Sequence, residues 1–73
     1  MKIIIGTISE DYFDLRSGKL FNEYDVIIGI SIFDEVAVID GDFEIVSMIP
    51  LDNILIYEEK IFKGMEEFEI GLN

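Results

Sequence analysis

Apolar residues along this chain recur at every second position, in short runs punctuated by Gly, Asp, Asn and Ser, which is the period of half-buried β-strands. Lys2 to Ile8 reads as a strand with Ile3 and Ile5 on one face and Ile4 and Ile8 on the other. Ser9-Glu10-Asp11 breaks the pattern. Tyr12 to Leu15 and Lys19 to Phe21 then flank Arg16-Ser17-Gly18, where Gly supplies the positive φ of a tight reversal, so this stretch reads as a hairpin. Its rival is a short helix capped by Ser9 and ending before Gly18. Tyr24 to Ile32 is the clearest strand, with Val26, Ile28, Ile30 and Ile32 on one face and Ile27, Gly29 and Ser31 on the other. A slip of one residue would exchange those faces, so the register is well specified.

Phe33-Asp34-Glu35 turns the chain into Val36 to Ile39, and Asp40-Gly41-Asp42 is the strongest hairpin signal, leading into Phe43 to Ile49. Asp-Gly suits a turn that needs positive φ. Pro50-Leu51-Asp52-Asn53 ends that strand and Ile54 to Tyr57 resumes another. After Tyr57 the period changes: Ile61, Phe62, Met65 and Phe68 fall near helical spacing, so a short acidic C-terminal helix is expected, with a strand over Phe68-Glu69-Ile70 as its alternative.

The tight Asp40-Gly41 hairpin followed by Ile49-Pro50-Leu51-Asp52-Asn53-Ile54 resembles the end of an SH3-like small barrel, in which a 3₁₀ turn joins the last two strands. The resemblance spans residues 24 to 57 and implies a fold: mainly β, either a small SH3-like barrel or a strongly twisted antiparallel sheet of about five strands. In peptide-binding members an aromatic groove takes the ligand. Tyr12 and Tyr57 are the residues here that could contribute to one, and the chain has no Trp.

Composition agrees with strands, since fifteen Ile, four Val and nine aromatics stand against one Ala. Seventy-three residues make one small domain, which buries only about 60% of the surface its unfolded chain exposes. The Ile and Phe bias suits an AT-rich coding source, as in many bacterial viruses. Several strands are apolar on both faces: Ile3/Ile4/Ile5, Val26/Ile27/Ile28, Ile45/Val46 and Ile54/Leu55/Ile56. One small interior does not hold them all. Either the C-terminal segment or the residue 9 to 23 excursion covers the second face, or two copies pair as a homodimer.

Charge narrows the chemistry. With no Cys and no His the chain lacks thiol nucleophile, imidazole base and the usual zinc ligands, and its glycines form no phosphate-binding motif. Neither a catalytic site nor a cofactor is expected. Asp40-Gly41-Asp42-Phe43-Glu44 alternates acids as a calcium loop does, but it lacks the twelve-residue span and distal bidentate Glu, so it reads as a solvated turn. The paired acids Asp34/Glu35, Glu58/Glu59 and Glu66/Glu67 point to opposite faces if extended, which is not how two carboxylates share one cleft. The opening residues form only a three-residue apolar run, so no signal peptide or membrane anchor is expected and the compartment is read as cytoplasmic.

Sixteen Asp and Glu against five Lys and Arg give a net charge of -11. Solubility alone asks for a magnitude of about 2–8 in a small domain, and the excess adds self-repulsion to a thin fold. Such charge repels DNA, RNA and anionic lipid and favours basic protein partners. In size and charge the chain resembles the acidic DNA-mimic inhibitors encoded by viruses and mobile elements, whose carboxylates stand in for phosphates. That resemblance implies a basic, nucleic-acid-binding host protein as partner. Duplex DNA carries one charge per about 1.7 Å of axis, a density that a dimer bearing twice -11 could approach along one face. The expected contacts are Asp40, Asp42 and Glu44 in the central hairpin and Glu58, Glu59, Glu66, Glu67 and Glu69 beyond it. Two other readings share the composition: an adaptor or assembly module that binds through an apolar face, and an immunity protein or antitoxin against a basic toxin.

Overall fold

A computed structural model describes residues 1–61, and the fold is mainly β and antiparallel. Five strands, β1 (Lys2–Ile8), β4 (Val26–Ile32), β5 (Glu35–Ile39), β6 (Ile45–Pro50) and β7 (Ile54–Ile61), form one sheet in the order β6-β5-β4-β1-β7. The remaining two, β2 (Tyr12–Asp14) and β3 (Lys19–Phe21), form a separate hairpin. This settles residues 9 to 23 in favour of the hairpin, and Gly18 carries the expected positive φ of 75°.

A 3₁₀ turn over Leu51–Asn53 joins the two edge strands β6 and β7. Five flat strands would set those edges about 19 Å apart, whereas the step from Pro50 to Ile54 reaches at most about 14 Å. The sheet must therefore curl. Hydrogen bonds at both ends of the turn hold the curl: Leu51 N–H donates to Asp34 O at 2.8 Å and Ser9 N–H donates to Asn53 O at 2.9 Å. The Asn53 side chain adds two more, accepting from Ser9 Oγ and donating to Glu10 O, both at 3.1 Å. Among the described residues β6 and β7 are not paired with each other, so the curl does not close into a hydrogen-bonded barrel.

Inside the curl lie Ile4, Ile8, Ile27, Val36, Val38, Ile49 and Ile54, with Phe21 of β3 completing the cluster and Tyr12 of β2 packed against it. The small hairpin is thus the lid of the core. It is tied down by Asp14, whose carboxylate is buried and accepts hydrogen bonds from the hydroxyls of Ser47 and Ser17 and the amides of Met48 and Arg16. Gly6 and Gly29 permit close approach of neighbouring strands: a Cβ on Gly29 would press on Val36 Cγ1 and lie 2.8 Å from Ala37 O, and one on Gly6 would overlap Leu55 O and sit 2.9 Å from Ile54 Cγ2.

Two sequence expectations need correcting. The positive φ of the β5–β6 turn falls on Phe43, at 60°, and not on Gly41. Strand β7 also continues past Tyr57 through Glu58, Glu59 and Lys60 to Ile61. The change of period there is a β-bulge: Gly6 pairs with Ile56 and Ile5 with Glu58, leaving Tyr57 as the extra residue that shifts the alternation. The rest of the expected C-terminal helix, and the alternative strand over Phe68-Glu69-Ile70, lie outside the described residues.

The doubly apolar strands keep a second, outward face. Ile27 and Gly29 of β4 point into the core, while Val26, Ile28 and Ile32 on its more apolar side are exposed. On that second face Ile3, Ile30, Ala37 and Met48 form one cross-strand row, in which Ile3 and Ala37 are buried, and Ile5 and Ile28 begin another.

Candidate functional site

The β5–β6 turn gathers Asp40, Asp42 and Glu44 into one exposed loop. Asp40 works for the turn itself: its Oδ1 accepts the Asp42 and Glu44 amides at 2.9 and 3.0 Å, and its backbone exchanges hydrogen bonds with Phe43 and Glu44. This Asp-centred turn explains how a bulky Phe is held at positive φ. Asp42 and Glu44 have no hydrogen-bond or ion-pair partner for their carboxylates among the described residues, so their charge is presented to solvent.

Glu58 and Glu59 stand elsewhere. They sit on β7, separated from the β5–β6 hairpin by β4 and β1 in the sheet order, and being consecutive they face opposite sides. Each is matched by a cation, Glu58 with Lys60 at 3.6 Å and Glu59 with Lys2 at 3.3 Å. Exposed pairs of this kind contribute little to stability, but they do lower the local negative potential. Glu66, Glu67 and Glu69 lie outside the described residues.

The other acids divide by task. Asp11 Oδ1 accepts the Glu23 amide at 2.7 Å, Asp25 Oδ2 accepts the Asn22 amide at 2.9 Å, and Arg16 reaches Glu35 at 3.3 Å. Asp14 is held well below the ordinary carboxylate range, chiefly by the Ser47 hydroxyl, against the opposing effect of burial, with help from the Met48 and Arg16 amides and the Ser17 hydroxyl. It is a structural anchor, since all its donors belong to the turn it closes or to β6. By contrast Glu10, Glu23, Asp34 and Asp52 are exposed and their carboxylates, like those of Asp42 and Glu44, have no partner among the described residues.

Sequence reasoning overlooked the turn that enters β4. Tyr24 has φ 72° and is 75% exposed, and it precedes Asp25 at the same end of the sheet as the Asp40–Glu44 loop. That end is identified by hydrogen bonds and register: Tyr24 N–H donates to Ile8 O, and Gly29 pairs with Val38, which brings Ile28 opposite Ile39. A groove of about 360 Å³ opens there between β3 and the β4–β5 strands, lined among others by Leu20, Phe21, Asp25, Val26, Ile28 and Ile39. Its signal in the sequence is the two-faced strand Val26-Ile27-Ile28, with apolar residues on both sides.

Among the described residues no group of three or more acids is placed to hold a metal ion, and no helix is long and apolar enough to cross a membrane. Comparison with known proteins finds no matching family model, curated protein or solved structure.

Proposed function

We propose that this protein is a DNA-mimic type of inhibitor, which binds and blocks a basic nucleic-acid-binding protein through its surface carboxylates and needs no cofactor or catalytic residue. The observation that carries this reading is the state of the exposed acids. The carboxylates of Asp42, Glu44, Glu10, Glu23, Asp34 and Asp52 hold no donor or cation of their own fold among the described residues, so a large share of the negative charge does no internal work. Charge retained at a cost in self-repulsion supports an external use, and a basic groove that normally holds phosphates is the complementary surface.

The test is capture of partners from nuclease-treated bacterial lysate on the immobilised protein, with elution by a salt gradient. A DNA-binding protein released at moderate salt and displaced by added duplex DNA is the expected result. Retention of the partner in 0.5 M salt, where screening leaves a range of only about 4 Å, would refute it.

A second reading is favoured by the outward apolar row on β4. An adaptor or assembly module would bind through Val26, Ile28 and Ile32, and a second copy of the chain is one such partner. The strand order and the 3₁₀ turn after Pro50 support a likeness to small SH3-like barrels, a fold suited to either role.

A further inference from the structure

We propose that β7 is a self-pairing edge: two copies of the chain join antiparallel along this strand, Glu59 of one copy opposite Glu59 of the other, into one continuous sheet. This surface is separate from the unpartnered carboxylates of the reading above and does not depend on it.

The two edges of the five-stranded sheet are not equivalent. On β6 the Asp14 carboxylate takes the Met48 amide. Strand β7, at the other end of the order, is the longest in the described chain at eight residues. Its outward groups follow from β1. Ile8 bonds toward the entry of β4, donating its N–H to Asp25 O at 2.9 Å and accepting from the Tyr24 amide at 2.8 Å. Backbone direction alternates along an antiparallel strand, so Ile3 and Ile5 bond to β7, opposite Lys60 and Glu58. Glu59 and Ile61 therefore direct N–H and C=O away from the sheet, and among the described residues no side chain takes those amides. A bare row of this kind is a template for another strand.

Charge selects the partner and the register. Most of this acidic molecule repels its own copy, but along β7 the charges of Glu58, Glu59 and Lys60 are balanced by Lys2, 3.3 Å from Glu59. The carboxylates without a partner stand in turns and loops instead. With the two-fold axis at Glu59, Glu58 of each copy lies opposite Lys60 of the other on the same face, so both cross-strand pairs attract. The two Glu59 side chains meet there, each neutralised by its own Lys2. Moving the axis to Lys60 would set Lys60 against Lys60, which is destabilising. The Glu59 residues exchange two backbone hydrogen bonds, and an edge contact of this extent, under about 1,200 Å², makes a weak, concentration-dependent dimer.

The test is sedimentation equilibrium of the full 73-residue protein over a range of concentrations, with substitutions at exposed positions of β7. Glu58→Lys makes the chain less negative and Lys60→Glu makes it more so; repulsion between whole molecules would therefore move association in opposite directions. The register predicts that each weakens it about tenfold, because each sets like charges opposite one another twice, and that both together restore it to within about threefold. Glu59→Pro removes the exchanged amide at a place where an edge strand tolerates Pro. It should abolish the dimer while the far-ultraviolet circular dichroism of the chain is retained. A monomer at every concentration would overturn the proposal. So would opposite effects of the two charge substitutions, or a dimer that survives Glu59→Pro, which would place the contact on the apolar face of β4.

Discussion

Asp14 and Ser47, 33 positions apart in the chain, meet in a buried hydrogen bond that fastens the β2–β3 hairpin to the edge strand β6. The same carboxylate oxygen accepts the Met48 amide at 3.2 Å. A side chain thus takes the place of a neighbouring strand on an edge that would otherwise offer its donors to other chains.

Acid should expose this anchor. Its folded-state pKa lies below the unfolded value of 3.8, so protonation favours the unfolded chain. The contribution is complete above that pH and is lost as pH falls below it toward the folded-state value. Denaturant titrations should therefore show stability falling below about pH 4. Asp14→Asn should be less stable at neutral pH and lack much of the acid-side fall; parallel losses in both proteins would assign that fall elsewhere.

Three glycines should respond differently to alanine. Gly29→Ala and Gly6→Ala force a methyl against neighbouring strands and should each cost about 1–3 kcal/mol, Gly6 the more because the obstacle is the Leu55 backbone at the β1–β7 bulge. Gly41→Ala should change stability by less than about 0.5 kcal/mol, since a Cβ there meets nothing within 4 Å and φ is not positive. Thermal melts of the three variants decide it.

Within the acidic hairpin, structure and charge separate by residue. Asp40→Ala removes the acceptor of two amides and should cost about 1 kcal/mol. Asp42→Asn and Glu44→Gln should leave the melt unchanged or raise it slightly. Combined with Glu58→Gln and Glu59→Gln they should weaken partner binding at least tenfold, as read by binding isotherms at low salt.

Phe33 stands at φ 54° in the β4–β5 turn and is 95% exposed. Replacing it with Gly removes a left-handed bulky residue and should stabilise the fold by about 1 kcal/mol. An unchanged or lower melting temperature would show that the ring makes a contact worth its strain.

Period-two patterning gave the strand positions well, because each strand has one face that must be buried and turn residues mark its ends. The 3₁₀ turn was legible in Pro50-Leu51-Asp52-Asn53, where a missing donor and two local acceptors act together. Long-range partners were not: nothing local tells Asp14 from Asp11 or Asp25, and only the arrival of Ser47 makes it an anchor. The bulge at Tyr57, which carries β7 on to Ile61, was not legible either, because it interrupts the alternation that marks a strand. Likewise Tyr24 and the groove depend on which β4 face turns inward, and the small Gly29, pressed on Val36, decided that against the simple count of isoleucines. The acids were visible as a set, but their division into turn-holders and unpartnered carboxylates depends on which backbone amides the fold brings to each.

The position of β1 between β4 and β7 has a consequence for biosynthesis. The ribosome delivers this strand before either of its neighbours, yet Ile3 pairs with both Ile30 and Lys60, so one of its ladders waits for nearly all of the described chain. At about 5–20 residues per second the nascent protein spends seconds with Ile3, Ile4 and Ile5 lacking a neighbour on one side. Strand β7 works as a latch. A message truncated before Ile54 would release a sheet with β1 left as an open edge, a product ready to recruit other copies by edge pairing and one that a cell must clear.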